Sequence, residues 1–171
     1  MSFGSVVGEL PIAVPAYRAA LDAVAGLDAR VLVTVGHATD MDALATPANA
    51  RIEAWVPQRD VLRTAAVVVA HGGSGTTFGA LAAGVPLVLV PFFADQLVNA
   101  SRVAATGAAL VIEPEDASRL RAAIETVLSE PSYRRAARAI ADEMRAYPSI
   151  DELLATLAMA GRERGGCRRG L

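Results

Sequence analysis

Residues 71–77 form a glycine-rich loop, His-Gly-Gly-Ser-Gly-Thr-Thr, with the residue types of an anion site. The loop follows a short apolar run at 67–70, which predicts a buried strand, and it leads into a helical pattern over 76–83. Glycine lets the backbone approach a ligand closely, and a helix N-terminus presents free N–H groups and a partial positive charge. The loop therefore predicts a phosphate or diphosphate site. The donors assigned to it are His71, Gly73, Ser74, Gly75 and Thr76.

Other interpretations of this loop can be tested against the letters. A P-loop needs Gly-Lys-Ser/Thr, and the chain contains no lysine. The dinucleotide fingerprint G-x-G-x-x-G also fails, because Gly73, Gly75 and Gly79 have the spacing G-x-G-x-x-x-G and follow the fourth predicted strand instead of the first. The simplest alternative is an ordinary strand-to-helix turn capped by Ser74 or Thr76.

The elements around the loop alternate between strand and helix. Short, nearly unbroken apolar runs predict strands covered on both faces, and segments with apolar residues three and four apart predict helices between them. Strand alternating with helix predicts a Rossmann-like, doubly wound parallel sheet of about six strands with helices on both faces. The predicted strands are 1–3, 31–35, 52–56, 67–70, 87–90 and 110–112. The predicted helices are 15–25, 76–83, 96–106, 115–129, 131–147 and 148–160.

In such a sheet, with strand order 3-2-1-4-5-6, ligands bind beyond the carboxyl ends of the first and fourth strands. The first strand, 1–3, is short, and Ser5 just after it faces the same crevice as the glycine loop. Ser5 is therefore a further candidate for contact with phosphate or sugar.

Composition limits the function classes. The chain has 171 residues, 53% of them hydrophobic, and a formal net charge of −2, which fits a globular domain and disfavours nucleic-acid binding. No apolar run approaches the roughly 20 residues of a membrane helix. A single cysteine, Cys167, cannot form an internal disulfide, so a cytoplasmic location is expected. We predict one domain over 1–160 and a disordered tail over 161–171.

Four motifs in order extend the argument beyond the loop. They are Trp55-Val56-Pro57-Gln58, then the run 71–77, then Gly84-Val85-Pro86, then Asp95-Gln96. Together they resemble the donor-binding, C-terminal domain of nucleotide-sugar glycosyltransferases with the GT-B fold, in particular the bacterial branch that glycosylates macrolides and other antibiotics. The match runs from residue 4 to about residue 112, so the resemblance implies one half of a GT-B fold.

The resemblance implies roles for individual residues. Trp55 would stack on the nucleobase, with Val56 and Gln58 beside it on the nucleoside, and such stacking is worth about 1–3 kcal/mol. His71 and the amides of the loop would hold the diphosphate, while Asp95 and Gln96 would bind hydroxyls of the donor sugar. The alternatives are a core role for Trp55, an exposed helix-start role for Gln58 and an ordinary N-cap for Asp95.

One position departs from the related plant pattern. Those enzymes typically carry a glutamate eight residues after the motif histidine, where it binds the ribose hydroxyls, and Gly79 stands there in this chain. A site without that acceptor would suit the deoxyribose of a dTDP-sugar. The donor is therefore predicted to be a dTDP- or UDP-sugar.

The resemblance also implies that the catalytic base and the acceptor pocket belong to an N-terminal domain absent from this chain. The expected function is transfer of a sugar, with inversion, to a small natural-product acceptor by the whole enzyme, whereas this chain alone would bind the donor without transfer. No catalytic residue, metal or cofactor is predicted here. The exposed crevice could also support a homodimer. The alternatives are a non-catalytic nucleotide-sugar module that works with a partner chain, a dehydrogenase-type dinucleotide domain and a related GT-B-like epimerase.

Overall fold

Five parallel strands and eight α-helices alternate along the part of the chain that the structure describes. This structure, a computed structural model, covers the backbone of residues 1–166 and their side chains except those of 5–6, 115–117 and 160–166. The strands are β1 (Val31–Thr34), β2 (Ala50–Glu53), β3 (Val68–Ala70), β4 (Leu87–Leu89) and β5 (Ala109–Val111). The helices are α1 (Gly4–Gly8), α2 (Ala13–Val24), α3 (Gln58–Leu62), α4 (Ser74–Ala82), α5 (Gln96–Ala105), α6 (Leu120–Ser129), α7 (Pro131–Ala146) and α8 (Ile150–Gly166). A 3-10 helix, Pro114–Arg119, precedes α6.

The strands form a parallel pair, β1 with β2, and a parallel triplet in the order β3-β4-β5. Ser2 lies between them, with isolated parallel bridges to Thr34 on one side and Ala70 on the other. The backbone N–H of Ser2 donates to the carbonyl of Val69 at 2.9 Å, which holds this residue to the triplet. The α/β class with parallel strands is confirmed. About six strands were predicted, and five are formed within the described residues, with the isolated bridges of Ser2 in place of the first predicted strand.

The missing strand has a local cause. Gly4 adopts φ +82°, so the extended backbone ends at Phe3 and α1 begins. The N–H of Phe3 then bonds to the hydroxyl of Tyr17 at 3.2 Å instead of a neighbouring strand, and that hydroxyl donates to the carbonyl of Thr34 at 2.9 Å. The hydroxyl of buried Tyr17 thus takes the place of a neighbouring strand at Phe3. The backbone then turns into α1 directly after residues 1–3.

Helices cover both faces of the sheet because alternate strand residues are buried on opposite sides. Val69 and Val88 pack with residues of α2 and α6 in one core cluster, and Ala70 and Leu89 pack with residues of α4 and α5 in the other. The predicted doubly wound pattern therefore holds for the described strands.

Most predicted elements lie within a few residues of the observed ones. Among the strands, the largest shift affects the predicted strand 52–56, because β2 ends at Glu53 and leaves Trp55 in the following loop. The short helices α1 and α3 were not predicted, and five residues are too few to show a helical period. At the other end, α8 continues to Gly166, and the rest of the predicted tail, 167–171, lies outside the described residues.

Candidate functional site

The glycine loop links β3 to the first turn of α4 without a side-chain cap. Gly73 occupies the N-cap position, and no side chain among the described residues bonds to the free N–H groups of this turn. The alternative in which Ser74 or Thr76 caps the helix is therefore wrong: Ser74 is the first residue of α4 and Thr76 the third. A helix start with unpaired N–H groups is suited to an anion.

His71 is wedged between two backbone segments that only glycine allows so close. A Cβ on Gly73 would lie 2.3 Å from Nε2 of the imidazole, and a Cβ on Gly4 would lie 2.7 Å from its Cε1. The glycines after β3 and after residues 1–3 therefore make room for the same ring. The predicted meeting of these two chain segments at one crevice is thus seen in the contacts of His71.

Burial lowers the pKa of His71 below its usual value, while the Ser2 backbone and the negative charge of Asp95 act more weakly in the opposite sense. The Nδ1 atom of the ring is buried and has no hydrogen-bond partner among the described residues. An unpaired buried polar atom is uncommon and calls for an explanation, of which an absent ligand is one. Burial therefore favours the uncharged form of the ring.

Trp55 and Gln58 border one cavity together with the start of α4. Trp55 is 66% exposed, which excludes the core role considered above. The cavity has a volume of about 200 Å³, and Thr76 and Gly4 also line it. Val56 is half-buried in its wall, and Gln58, the first residue of α3, is exposed. The indole of Trp55 is therefore accessible on the same cavity as the start of α4, where the free N–H groups are suited to an anion.

Gly79 lies one turn further along α4 and faces Gln58. A Cβ at this position would lie 3.7 Å from Oε1 of Gln58 and 3.4 Å from a methyl group of Leu62. These are ordinary van der Waals separations, so the position could accept a larger side chain beside the cavity.

Asp95 and Gln96 lie at the start of α5 but differ in what surrounds them. Asp95 is exposed and makes no side-chain cap, although it stands at the N-cap position of α5. Gln96 is only 5% exposed, and its Oε1 accepts the N–H groups of Phe92 at 2.9 Å and Phe93 at 3.3 Å. Asp95 is therefore free to meet a ligand, whereas the described bonds of Gln96 shape the loop before it.

Asn99 brings Asp95 to the glycine loop. Its Nδ2 donates to both the carboxylate of Asp95 and the carbonyl of Gly72. Asn99 was not singled out from the sequence. A signal was present, since Asn99 follows Asp95 by four residues and so shares its face of a helix.

The described residues of the predicted site lie near the carboxyl ends of β2, β3 and β4, and their roles in binding stay predictions. The side chain of Ser5 lies outside the described residues. Within the described residues, no group of three or more His, Cys, Asp or Glu side chains could hold a metal ion. Within the same residues, no helix is both long and apolar enough to cross a bilayer.

A doubly wound domain with an open helix start, a half-buried histidine and an exposed tryptophan at one crevice has the features of the donor-binding half of a GT-B glycosyltransferase. The chain belongs to the family described as "Erythromycin biosynthesis protein CIII-like, C-terminal domain", which matches residues 18–159. The resemblance found in the sequence motifs is therefore confirmed.

Individual relatives agree with this assignment. The chain is 43% identical over 136 residues to elloramycin glycosyltransferase ElmGT of Streptomyces olivaceus. The aligned region covers 80% of this chain and 35% of that protein. It is 34% identical to 3-alpha-mycarosylerythronolide B desosaminyl transferase of Saccharopolyspora erythraea, over 78% of this chain and 32% of the relative. The chain therefore spans about a third of the length of these curated relatives.

A solved structure extends the comparison to the fold. The glycosyltransferase VinC, crystallised in complex with dTDP, superposes with a TM-score of 0.79 and 33% identity. The match covers 95% of this chain and 41% of VinC.

Proposed function

We propose that this chain binds the nucleotide-sugar donor of a glycosyltransferase that acts on a small natural-product acceptor. The observation that carries the proposal is that exposed Trp55 and the uncapped first turn of α4 border the same cavity. A base stacked on the indole would place its diphosphate toward the free N–H groups of that turn. The dTDP complex of VinC, a structural neighbour, supports this assignment.

Each group has a separate part in binding the donor. The amides of Gly73 to Thr76 and the imidazole of His71 hold the diphosphate. The exposed carboxylate of Asp95 accepts hydrogen bonds from hydroxyls of the sugar. In the transfer reaction the diphosphate leaves with growing negative charge, which the helix start stabilises together with His71, whose protonation the bound anion favours. His71 is therefore a diphosphate ligand, and the base that deprotonates the acceptor is assigned to a domain outside this chain, as are inversion and the choice of acceptor.

The donor proposed first is a dTDP-sugar. Gly79 puts no carboxylate beside Gln58, so this position offers no acceptor for a ribose 2′-hydroxyl. No metal or organic cofactor is proposed, because the helix start and the histidine supply the positive potential that the diphosphate needs. Self-association through the open crevice and a cytoplasmic location both stay predictions.

The deciding experiment is calorimetric titration of the chain with dTDP, UDP and NAD in parallel. We expect binding of dTDP, weaker binding of UDP and none of NAD. Tighter binding of UDP than of dTDP would overturn the dTDP assignment alone. Binding of NAD without either nucleoside diphosphate would instead favour a dinucleotide domain, and no binding of any ligand would contradict the proposed function of the chain as it stands.

The alternative of a non-catalytic module that works with a partner chain predicts the same binding. It differs in the reaction: a separately encoded partner would be needed to restore transfer. Sugar transfer by this chain alone would refute both versions.

A further inference from the structure

Asn99 joins the two loops that the proposed function assigns to different parts of the donor. Its Nδ2 donates to Oδ2 of Asp95 at 2.9 Å and to the backbone carbonyl of Gly72 at 3.1 Å. The hydroxyl of Ser74 lies 3.5 Å from the same nitrogen. One side-chain amide therefore spans from the start of α5 to the glycine loop.

The orientation of this amide follows from its partners. A carboxylate and a carbonyl can only accept hydrogen bonds, so only the NH₂ end of the asparagine can face both. That group has two hydrogens, and Asp95 and Gly72 use one each. An aspartate at this position has the same shape but would place an oxygen against two acceptors.

The backbone around Asn99 leaves little freedom for the two loops to separate. A Cβ on Gly72 would lie 2.8 Å from the carbonyl oxygen of Gln96, so the glycine loop already packs directly on the first turn of α5. Ala94, just before Asp95, has φ +57°, a strained value for a residue with a side chain. The tight contact fixes the backbones, whereas the exposed carboxylate of Asp95 is oriented by Asn99.

We propose that Asn99 is a positioning residue that holds the Asp95 carboxylate at a set distance from the diphosphate loop, so that the sugar and the diphosphate of one donor are bound together. This inference rests on the proposed function. It assigns Asn99 to recognition of the sugar through Asp95, with no direct contact to the donor required. The measurable consequence is a change in how much the sugar adds to binding.

The test compares the dissociation constants of dTDP and dTDP-glucose by calorimetry for the unsubstituted chain, Asn99→Ala, Asn99→Asp and Asp95→Ala. For Asn99→Ala we expect about a tenfold loss for dTDP-glucose and at most about a twofold loss for dTDP, the size of one hydrogen bond to a charged group. Asn99→Asp should lose more dTDP-glucose binding, because its carboxylate repels Asp95 and the Gly72 carbonyl. Val98→Ala, at an exposed neighbouring position of α5, is the matched control and should leave both constants unchanged.

A double substitution separates positioning from simple support of the fold. If Asn99 acts through Asp95, Asn99→Ala should cost no further dTDP-glucose binding once Asp95→Ala is present. Equal losses for dTDP and dTDP-glucose, or additive losses in the double variant, would overturn the inference while leaving the proposed function intact. If the unsubstituted chain bound neither ligand, the proposed function would fail and this inference with it.

Discussion

At the proposed diphosphate end of the crevice the imidazole of His71 is held by the fold, whereas at the proposed nucleobase end Trp55 and Gln58 face solvent. The imidazole of His71 has glycine backbones on two sides and a buried, unpaired Nδ1. Trp55 is 66% exposed and follows the end of β2 in a loop. The proposed anion loop is thus packed against the fold at His71 and Gly72, whereas the proposed platform for the base is an exposed side chain.

This difference has a physical reason. An anion is bound well when its donors are fixed before it arrives, and a loop packed closely against its neighbours provides that order. A base can stack on any accessible aromatic face, so its platform needs exposure more than rigidity. Substitutions at the two ends should therefore differ in their effect on stability, even where both weaken binding.

The largest effect is expected from Gly73→Ala. The new methyl group would lie 2.3 Å from Nε2 of His71, so the ring or the loop must move. We expect a stability loss of about 1–3 kcal/mol, as for other overpacked positions, together with loss of measurable dTDP binding. Thermal unfolding and calorimetry measure the two.

Gly75→Ala is the matched control two residues away. A Cβ there meets nothing within 4 Å, and alanine in a helix is favoured over glycine by about 0.5–1 kcal/mol. It should raise stability slightly. Equal destabilisation by the two substitutions would contradict the packing argument for Gly73.

The next effect concerns His71 and pH. Burial lowers the pKa of the free histidine below its usual value, and a bound diphosphate should raise it because the anion favours the charged ring. Between these two pKa values the complex holds more protons than the free chain. The affinity for dTDP should therefore rise as the pH falls through this interval.

His71→Gln supplies the comparison, because the phosphates of dTDP titrate with either chain. We expect the rise in affinity toward low pH to be smaller for the variant, and its binding near pH 6 to be about tenfold weaker, as for one lost hydrogen bond to a charge. Identical pH slopes for the two chains would remove His71 from the diphosphate site.

Trp55→Ala tests the other end of the crevice. Loss of stacking worth about 1–3 kcal/mol should weaken dTDP binding by about 5- to 150-fold. Because the indole is mostly exposed, the free energy of unfolding should change by less than about 0.5 kcal/mol. Tyr147→Ala, at a 70% exposed position after α7, should change neither quantity. A large loss of stability in Trp55→Ala would show that the two ends are not built differently after all.

The smallest effect is a change of preference. Gly79→Glu would place a carboxylate beside Gln58, where the backbone leaves room for a side chain. We expect UDP binding to improve relative to dTDP by about fivefold, since one more hydrogen bond to the 2′-hydroxyl is worth about 1 kcal/mol. The ratio of the two dissociation constants is the measurement, and an unchanged ratio would separate Gly79 from nucleotide choice.

Much of this protein could be predicted from the order of its residues. Short β-branched runs alternating with helical periods predicted a parallel α/β domain, because burial on both faces demands apolar residues at every strand position. The glycines after β3 and the motif that contains Trp55 also predicted where to look for the site, since strand ends in such a sheet meet at one edge. These are local or topological facts, and local chemistry is what a sequence displays.

Only the tertiary structure decided what those residues do to one another. The first predicted strand is reduced to Ser2 because Gly4 turns the backbone and Tyr17 takes the N–H of Phe3. Gln96, which its motif assigned to the sugar, is buried with its Oε1 on the preceding loop. Asn99 joins the proposed site because its amide donates to the carboxylate of Asp95 and to the distant carbonyl of Gly72. The bond of Phe3 with Tyr17 and the bond of Asn99 with the Gly72 carbonyl join residues 14 and 27 positions apart, so no periodicity or motif could display them.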